Sequence, residues 1–267
     1  MGNEPPVELS ITLDRNGVAA PAQRVVTIAS EVVGTCLQAL ANEDLSPPEL
    51  QGGFVHYRFS GLEMSAEERR ETYQNWILSK GFQDLARGVR ETLEEALFYI
   101  AIHNLKQKRT TFGQFEADMA SIRANVANLS FPKLLDDVNM GLSEPMAFEA
   151  EFLSLQRVRN CLEHRGGRVS NRDVDSGTGI MTLSFPRLRL FFRRGEEEVE
   201  VTKNSDKFCG ESEGITVFLN RVTRSREYAL DEPVVISADD FAEIAMACFM
   251  FASDIASKLP GETTELE

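Results

Sequence analysis

This chain has few of the residues that build metal and redox sites. Three histidines (His56, His103, His164) and four cysteines (Cys36, Cys161, Cys209, Cys248) are scattered through 267 residues. None of the cysteines forms a C-x-x-C pair, and no histidine cluster has zinc-ligand spacing, so no metal site is expected. Cys36 and Cys248 fall in apolar helical patterns, where a free thiol acts as a small hydrophobe; reduced thiols and a cytoplasmic location are expected. G-x-x-x-x-G-K, G-x-G-x-x-G after a strand, H-E-x-x-H, G-x-S-x-G and an EF-hand loop are all missing, which excludes the commonest nucleotide, zinc-protease and serine-hydrolase sites. No apolar run approaches the roughly 20 residues of a membrane span, and the polar, acidic start "MGNEPPVELS" does not resemble a secretory signal. Met1-Gly2 is followed by Pro6 where a myristoylation signal has Ser or Thr. No membrane partner and no cofactor are expected.

Lysine is missing from a second place. Between Arg157 and Arg194 there are nine arginines, three acids and no lysine, a local charge of +6 in a chain whose net charge is −14, so the remainder carries −20. An acidic protein is a poor generic ligand for nucleic acid. Any RNA contact is therefore expected within this window, at Arg157, Arg165, Arg168, Arg187, Arg189 and Arg193.

Hydrophobic periodicity supplies the architecture. Apolar residues at helical spacing predict helices over 22–42, about 82–105, 111–127 and 147–164. "SAEE" at 65–68 has capping-box spacing, and Gly81 is expected to interrupt the helix that follows. "FVHYRFS", 54–60, alternates weakly as a short strand would; the stretch 129–145 is a looser connector with one short helical piece. From about 178 to 232 the grammar changes. Leu188, Leu190 and Phe192 alternate with Arg187, Arg189 and Arg193, and Arg194-Gly195 marks a hairpin turn. "SADD", 237–240, then caps a last helix running to about 259, followed by a short acidic tail, 260–267, expected to fray. The fold expected is mainly α: a single domain of up-and-down helices (about 20–165 and 238–259) with a small antiparallel β insertion before the last helix.

The window opens on "RVRNCLEHRGGRV", 157–169. Part of it is a helix end: Gly166-Gly167 stop the helix, and Arg157, Arg159, His164 and Arg165 suit its negative pole by about 0.3–1 kcal/mol each. That does not account for Asn160, a weak helix former. On a helix Asn160 and His164 share a face, and the long Arg159 side chain reaches the same cleft. An imidazole can move protons at neutral pH, a guanidinium can brace a phosphoryl transition state, and Asn160 can orient either. This is a minimal kit for metal-free RNA cleavage.

Arg159-Asn160-x-x-x-His164 resembles the R-x4-6-H signature of the HEPN superfamily, in which a polar residue often follows the arginine. The resemblance implies a helical bundle, often a homodimer with paired motifs at its interface. It further implies a metal-independent endoribonuclease, frequently in toxin–antitoxin or phage-defence systems with an antitoxin or defence-system partner. The catalytic residues it implies are Arg159, Asn160 and His164. The other implied role is a non-catalytic interaction or sensor module that binds RNA or protein. Members paired with nucleotidyltransferase antitoxins carry a tyrosine two positions after the histidine. Here that position is Gly166, so control by AMP transfer to such a tyrosine is not implied.

Overall fold

A computed structural model describes residues 13–42, 45, 50–52, 54–57, 63–105, 111–202 and 216–261. Its elements run α1 (Arg15–Asn42), β1 (Leu50–Gly52), β2 (Val55–Tyr57), α2 (Ala66–His103), α3 (Phe112–Ala127) and α4 (Phe131–Gly141). They continue with α5 (Glu149–His164), β3 (Ile180–Arg194), β4 (Glu197–Glu200), β5 (Val217–Ala229) and α6 (Ala238–Lys258). The chain is thus mainly helical, with a small three-stranded antiparallel sheet of order β4-β3-β5 before the last helix.

Helix starts follow local chemistry closely. The Ser65 hydroxyl accepts from the Glu68 N–H at 3.2 Å, and the Glu68 carboxylate accepts from the Ser65 N–H at 2.8 Å, closing a capping box at α2. Thr111 and Gln114 form a second box at α3, and the Asp240 N–H donates to the Ser237 hydroxyl at the head of α6.

Two expectations fail for one reason, the close approach of helices. Gly81 does not interrupt α2, which is continuous from Ala66 to His103. A Cβ on Gly81 would lie 2.7 Å from Val33 of α1 and 2.8 Å from Phe241 of α6, so the glycine admits two neighbours and ends nothing. Likewise α1 starts at Arg15 rather than at 22 and carries Pro21 inside it. A proline removes one ladder donor and disturbs the turn around it. Here the next N–H, that of Ala22, donates across to the buried Thr92 hydroxyl of α2 at 3.1 Å. The contrast between glycines is measurable by urea unfolding. Gly34, with open space around it, should gain about 0.5–1 kcal/mol as Gly34→Ala. Gly81→Ala should instead lose about 1–2 kcal/mol, because overpacking outweighs the gain in helix propensity.

One apolar cluster joins the helices to the sheet. Phe82, Leu85 and Leu93 of α2, Phe152 and Leu155 of α5, Ile244 and Phe251 of α6, and Met181, Leu183 and Phe185 of β3 all belong to it. The Phe152 and Phe251 rings lie 3.9 Å apart, centroid to centroid. Ala19 and Ala22 of α1 meet Ala252 and Ala256 of α6 in a second, small-residue seam. Contrary to the expectation that no apolar stretch is long enough, α1 is long and apolar enough to cross a membrane by length and composition alone. Its Ala22, Ala29 and Val33 are buried against the other helices, while Ile28 and Val32 are half exposed.

The period-two pattern in β3 is real, but its inward face differs from the expected one. Met181, Leu183 and Phe185 are buried, and strand alternation puts Arg187 and Arg189 on that same face. Leu190, on the opposite face, is 43% exposed. Helices α5 and α6 cover the first half of this row; beyond it the row carries the half-buried Arg187 and Arg189 and then Phe191, which is buried, as is Phe192 on the opposite face. Pro186 sits where β4, which reaches only Phe191–Arg194, leaves one edge of β3 open. The expected strand at 54–60 is β2, paired with β1; residues 58–60 lie outside the described residues. The tail begins later than expected, since the Pro260 carbonyl accepts from Arg15 Nε (3.1 Å) and Tyr99 Oη (3.2 Å). Residues 262–267 and Cys209 lie outside the described residues. Cys36, Cys161 and Cys248 are free thiols, and complete burial pushes the Cys248 thiol up to about 12.

Candidate functional site

Helix α5 buries Phe152, Leu155, Val158 and Cys161 along one stripe. Helical geometry places Asn160 and His164 opposite that stripe and Arg159 at its edge, with Arg159 and Asn160 half-buried and His164 exposed at the end of the helix. The helix closes at Arg165. The N–H groups of Arg165 and Gly167 both donate to the Cys161 carbonyl at 3.1 Å, while Gly166 and Gly167 take φ of 65° and 73°, a backbone that side-chain-bearing residues rarely adopt.

His164 has 60% of its side chain exposed, and its Nε2 lies 4.0 Å from Glu163 Oε2. Arg159 is held from two sides. Its Nη1 donates to Asn160 Oδ1 at 3.2 Å, and Nη2 forms an ion pair with Glu163. Asn160 Oδ1 also accepts from Gln156 Nε2 at 3.2 Å. Arg159 and Asn160 therefore touch, and Glu163, which pairs with Arg159, lies 4.0 Å from His164. Glu163 had not been singled out from the sequence. The available signal was its position four residues after Arg159, although arginine preceding glutamate is the weaker orientation of such a pair.

The loop after the helix is anchored by a second carboxylate with no role assigned from the sequence. Asp173 is 1% exposed and receives four hydrogen bonds: two from the Arg165 guanidinium, and the Ser170 N–H and hydroxyl at 2.9 and 2.7 Å. Burial alone would raise its pKa. The bonds from Arg165 and Ser170 outweigh that and hold the carboxyl below its ordinary range. The only local sign was the Ser-x-x-Asp spacing of 170–173. The same loop is bound to the entry of α6: Val169 N–H donates to the Glu232 carbonyl, Val234 N–H to the Gly167 carbonyl, and Arg168 to the Asp231 carbonyl. The platform beneath His164 is thus braced by elements far away in sequence.

The arginines of the basic window do not form one surface. Ser154 of α5 meets Ser184 of β3, and Glu151 meets Thr223, which pairs with Pro186. Helix α5 and strand β3 therefore run antiparallel. Arg187, Arg189 and Arg193 lie beyond the N-terminal end of α5, and His164 is at its other end, about 20 Å along the axis. Nor are these arginines bare. Arg187 binds both oxygens of Glu200 (2.6 and 3.1 Å), Arg189 binds Glu198 (2.9 Å), and Arg193 lies 3.5 Å from Glu198. Near His164, Arg165 is engaged by Asp173, whereas Arg157, Arg168 and Arg172 are exposed with no carboxylate at ion-pair distance among the described residues.

Of the other histidines, His103 stacks on Tyr99, with centroids 6.4 Å apart, and His56 lies in β2. Among the described residues no three or more His, Cys, Asp or Glu side chains are grouped to hold a metal ion. Comparison with protein-family models, curated proteins and solved structures yields no match.

Proposed function

We propose that this chain is a HEPN-type metal-independent endoribonuclease that needs no cofactor and works as a homodimer in the cytoplasm, in a toxin–antitoxin or phage-defence setting. The observation that carries the proposal is the presentation of Arg159, Asn160 and an accessible His164 together on the exposed end of α5. The helical bundle with its β insertion, read as an elaborated up-and-down HEPN fold, is compatible with it.

The chemistry follows from the side chains. His164 takes the proton of a ribose 2′-hydroxyl, whose oxygen attacks the adjacent phosphorus. The P–O5′ bond breaks, and the leaving oxygen takes a proton from the His164 of a second copy facing the first. Arg159 stabilises the charge that builds on the phosphoryl oxygens, and Asn160 holds Arg159 in place. Arg157 and Arg168 steer the RNA backbone toward this end. The products are a 2′,3′-cyclic phosphate and a 5′-hydroxyl.

The test is to incubate the purified full chain with single-stranded RNA in EDTA and to analyse the new ends. Cyclic-phosphate ends are expected. RNA left intact by the folded chain, or cleavage equal to that of the His164→Ala variant, overturns the proposal. One observation favours a second reading, a non-catalytic module that binds RNA or a protein partner: Glu163 already occupies the Arg159 guanidinium. That reading is met by a salt-sensitive RNA mobility shift without cleavage.

A further inference from the structure

Between the start of α5, the middle of β3 and the outer side of α6 lies a cavity of about 210 Å³. Its walls are largely apolar, formed by Phe148, Phe152, Pro186, Leu188, Met246 and Met250. Methionines adapt their shape to a guest, and a dry apolar cavity of roughly 150 Å³ already accepts benzene. This one has room for a single ring or a medium-length alkyl chain.

Two independent features mark it as more than a packing gap. Phe148, at the head of α5, holds a left-handed backbone (φ 61°, ψ 34°), which an aromatic residue rarely adopts. Strain of this kind concentrates at ligand clamps and switch points. The second feature is charge. Four charged residues line the cavity: Arg187, Arg221, Glu243 and Asp254. Three of them have an oppositely charged neighbour outside the lining, although Glu243 Oε2 is buried without a hydrogen-bond partner among the described residues and burial raises the pKa of that carboxyl. Arg187 is bound by Glu200, Glu243 lies 3.1 Å from Arg224, and Asp254 lies 2.9 Å from Lys258. Arg221 is exposed and alone of the four has no oppositely charged group at ion-pair distance among the described residues, so it is the lining charge open to a ligand.

The geometry points to a binding site for a small amphipathic anion, an organic carboxylate whose apolar body fills the cavity and whose head meets Arg221. The site is at the opposite end of α5 from His164, and its occupancy does not require RNA cleavage.

The test uses the full chain and three probes of equal length, octanoate, octanol and octylamine, titrated by ligand-observed NMR. Octanoate should bind about tenfold or more tighter than octanol, the return on one charge-assisted contact, and octylamine should not bind. Arg221→Ala should bring octanoate down to the octanol level and leave octanol unchanged. Ala242→Phe, at an exposed position of the lining, should abolish both while the thermal midpoint stays put. Equal affinity for the three probes, no octanoate binding by the folded chain, an octanoate preference that survives Arg221→Ala, or binding that survives Ala242→Phe each overturns the assignment.

Discussion

His164→Ala is expected to lower RNA cleavage in EDTA about 10²–10⁴-fold, the usual contribution of a positioned proton-transfer group. The same substitution should change stability by no more than about 0.5 kcal/mol. The two halves of this expectation come from one fact, that 60% of the side chain is in solvent. An exposed imidazole supports little packing, so its loss leaves no cavity. It is also open to solvent, and under the proposed mechanism its loss removes the proton acceptor. Parallel single-turnover cleavage and urea unfolding of the two proteins separate these effects. A fall in activity that tracks a fall in stability would assign His164 to the scaffold, and unchanged cleavage would remove it from the chemistry.

Asp173→Ala should have the largest effect on stability, a loss of about 3 kcal/mol. The carboxylate is enclosed and receives four hydrogen bonds, so truncation leaves the Ser170 N–H and the Arg165 guanidinium without their acceptor. The loss sits toward the lower end for a broken buried pair, because 23% of the Arg165 side chain is exposed and can hydrate. The pH dependence has a definite sign. The folded carboxyl titrates below its ordinary value of 3.8, so the stabilisation is complete above that value and is lost as pH falls through the folded value. Urea unfolding of the parent between pH 7 and pH 3 should show this acid-side decline, and Asp173→Ala should flatten it. The substitution should also slow RNA cleavage without touching His164, because it frees the loop that begins at Arg165. A variant as stable as the parent would show that the loop holds without this carboxylate.

The elements that could be read in advance share a physical cause: their determinants lie within one or two helical turns. Ser65 with Glu68, and Ser237 with Asp240, act across three residues, and the apolar stripe of α5 repeats within its own length. Gly166-Gly167 stop α5 because the positive φ needed there is a property of the residue itself. The motif was legible for the same reason, since Arg159, Asn160 and His164 lie within two turns of one helix.

What could not be read depends on neighbours distant in sequence. Gly81 reads as a break until Val33 and Phe241 are seen against it. The first helix reads as starting at 22 until Thr92 is seen to supply a partner for the N–H that follows Pro21. The basic window reads as one surface until the antiparallel course of α5 and β3 carries its two halves to opposite ends, one set beside Glu198 and Glu200 and the other beside His164. By itself, then, the sequence determined the helical plan, the caps, the place of the β insertion and the shared face of Asn160 and His164, because periodicity and capping are local. Only the tertiary structure decided which arginines are already neutralised, that Glu163 and Asp173 flank the motif, and that Arg221 overlooks an apolar cavity. Ion pairing and cavity shape depend on which distant residues the packing brings together.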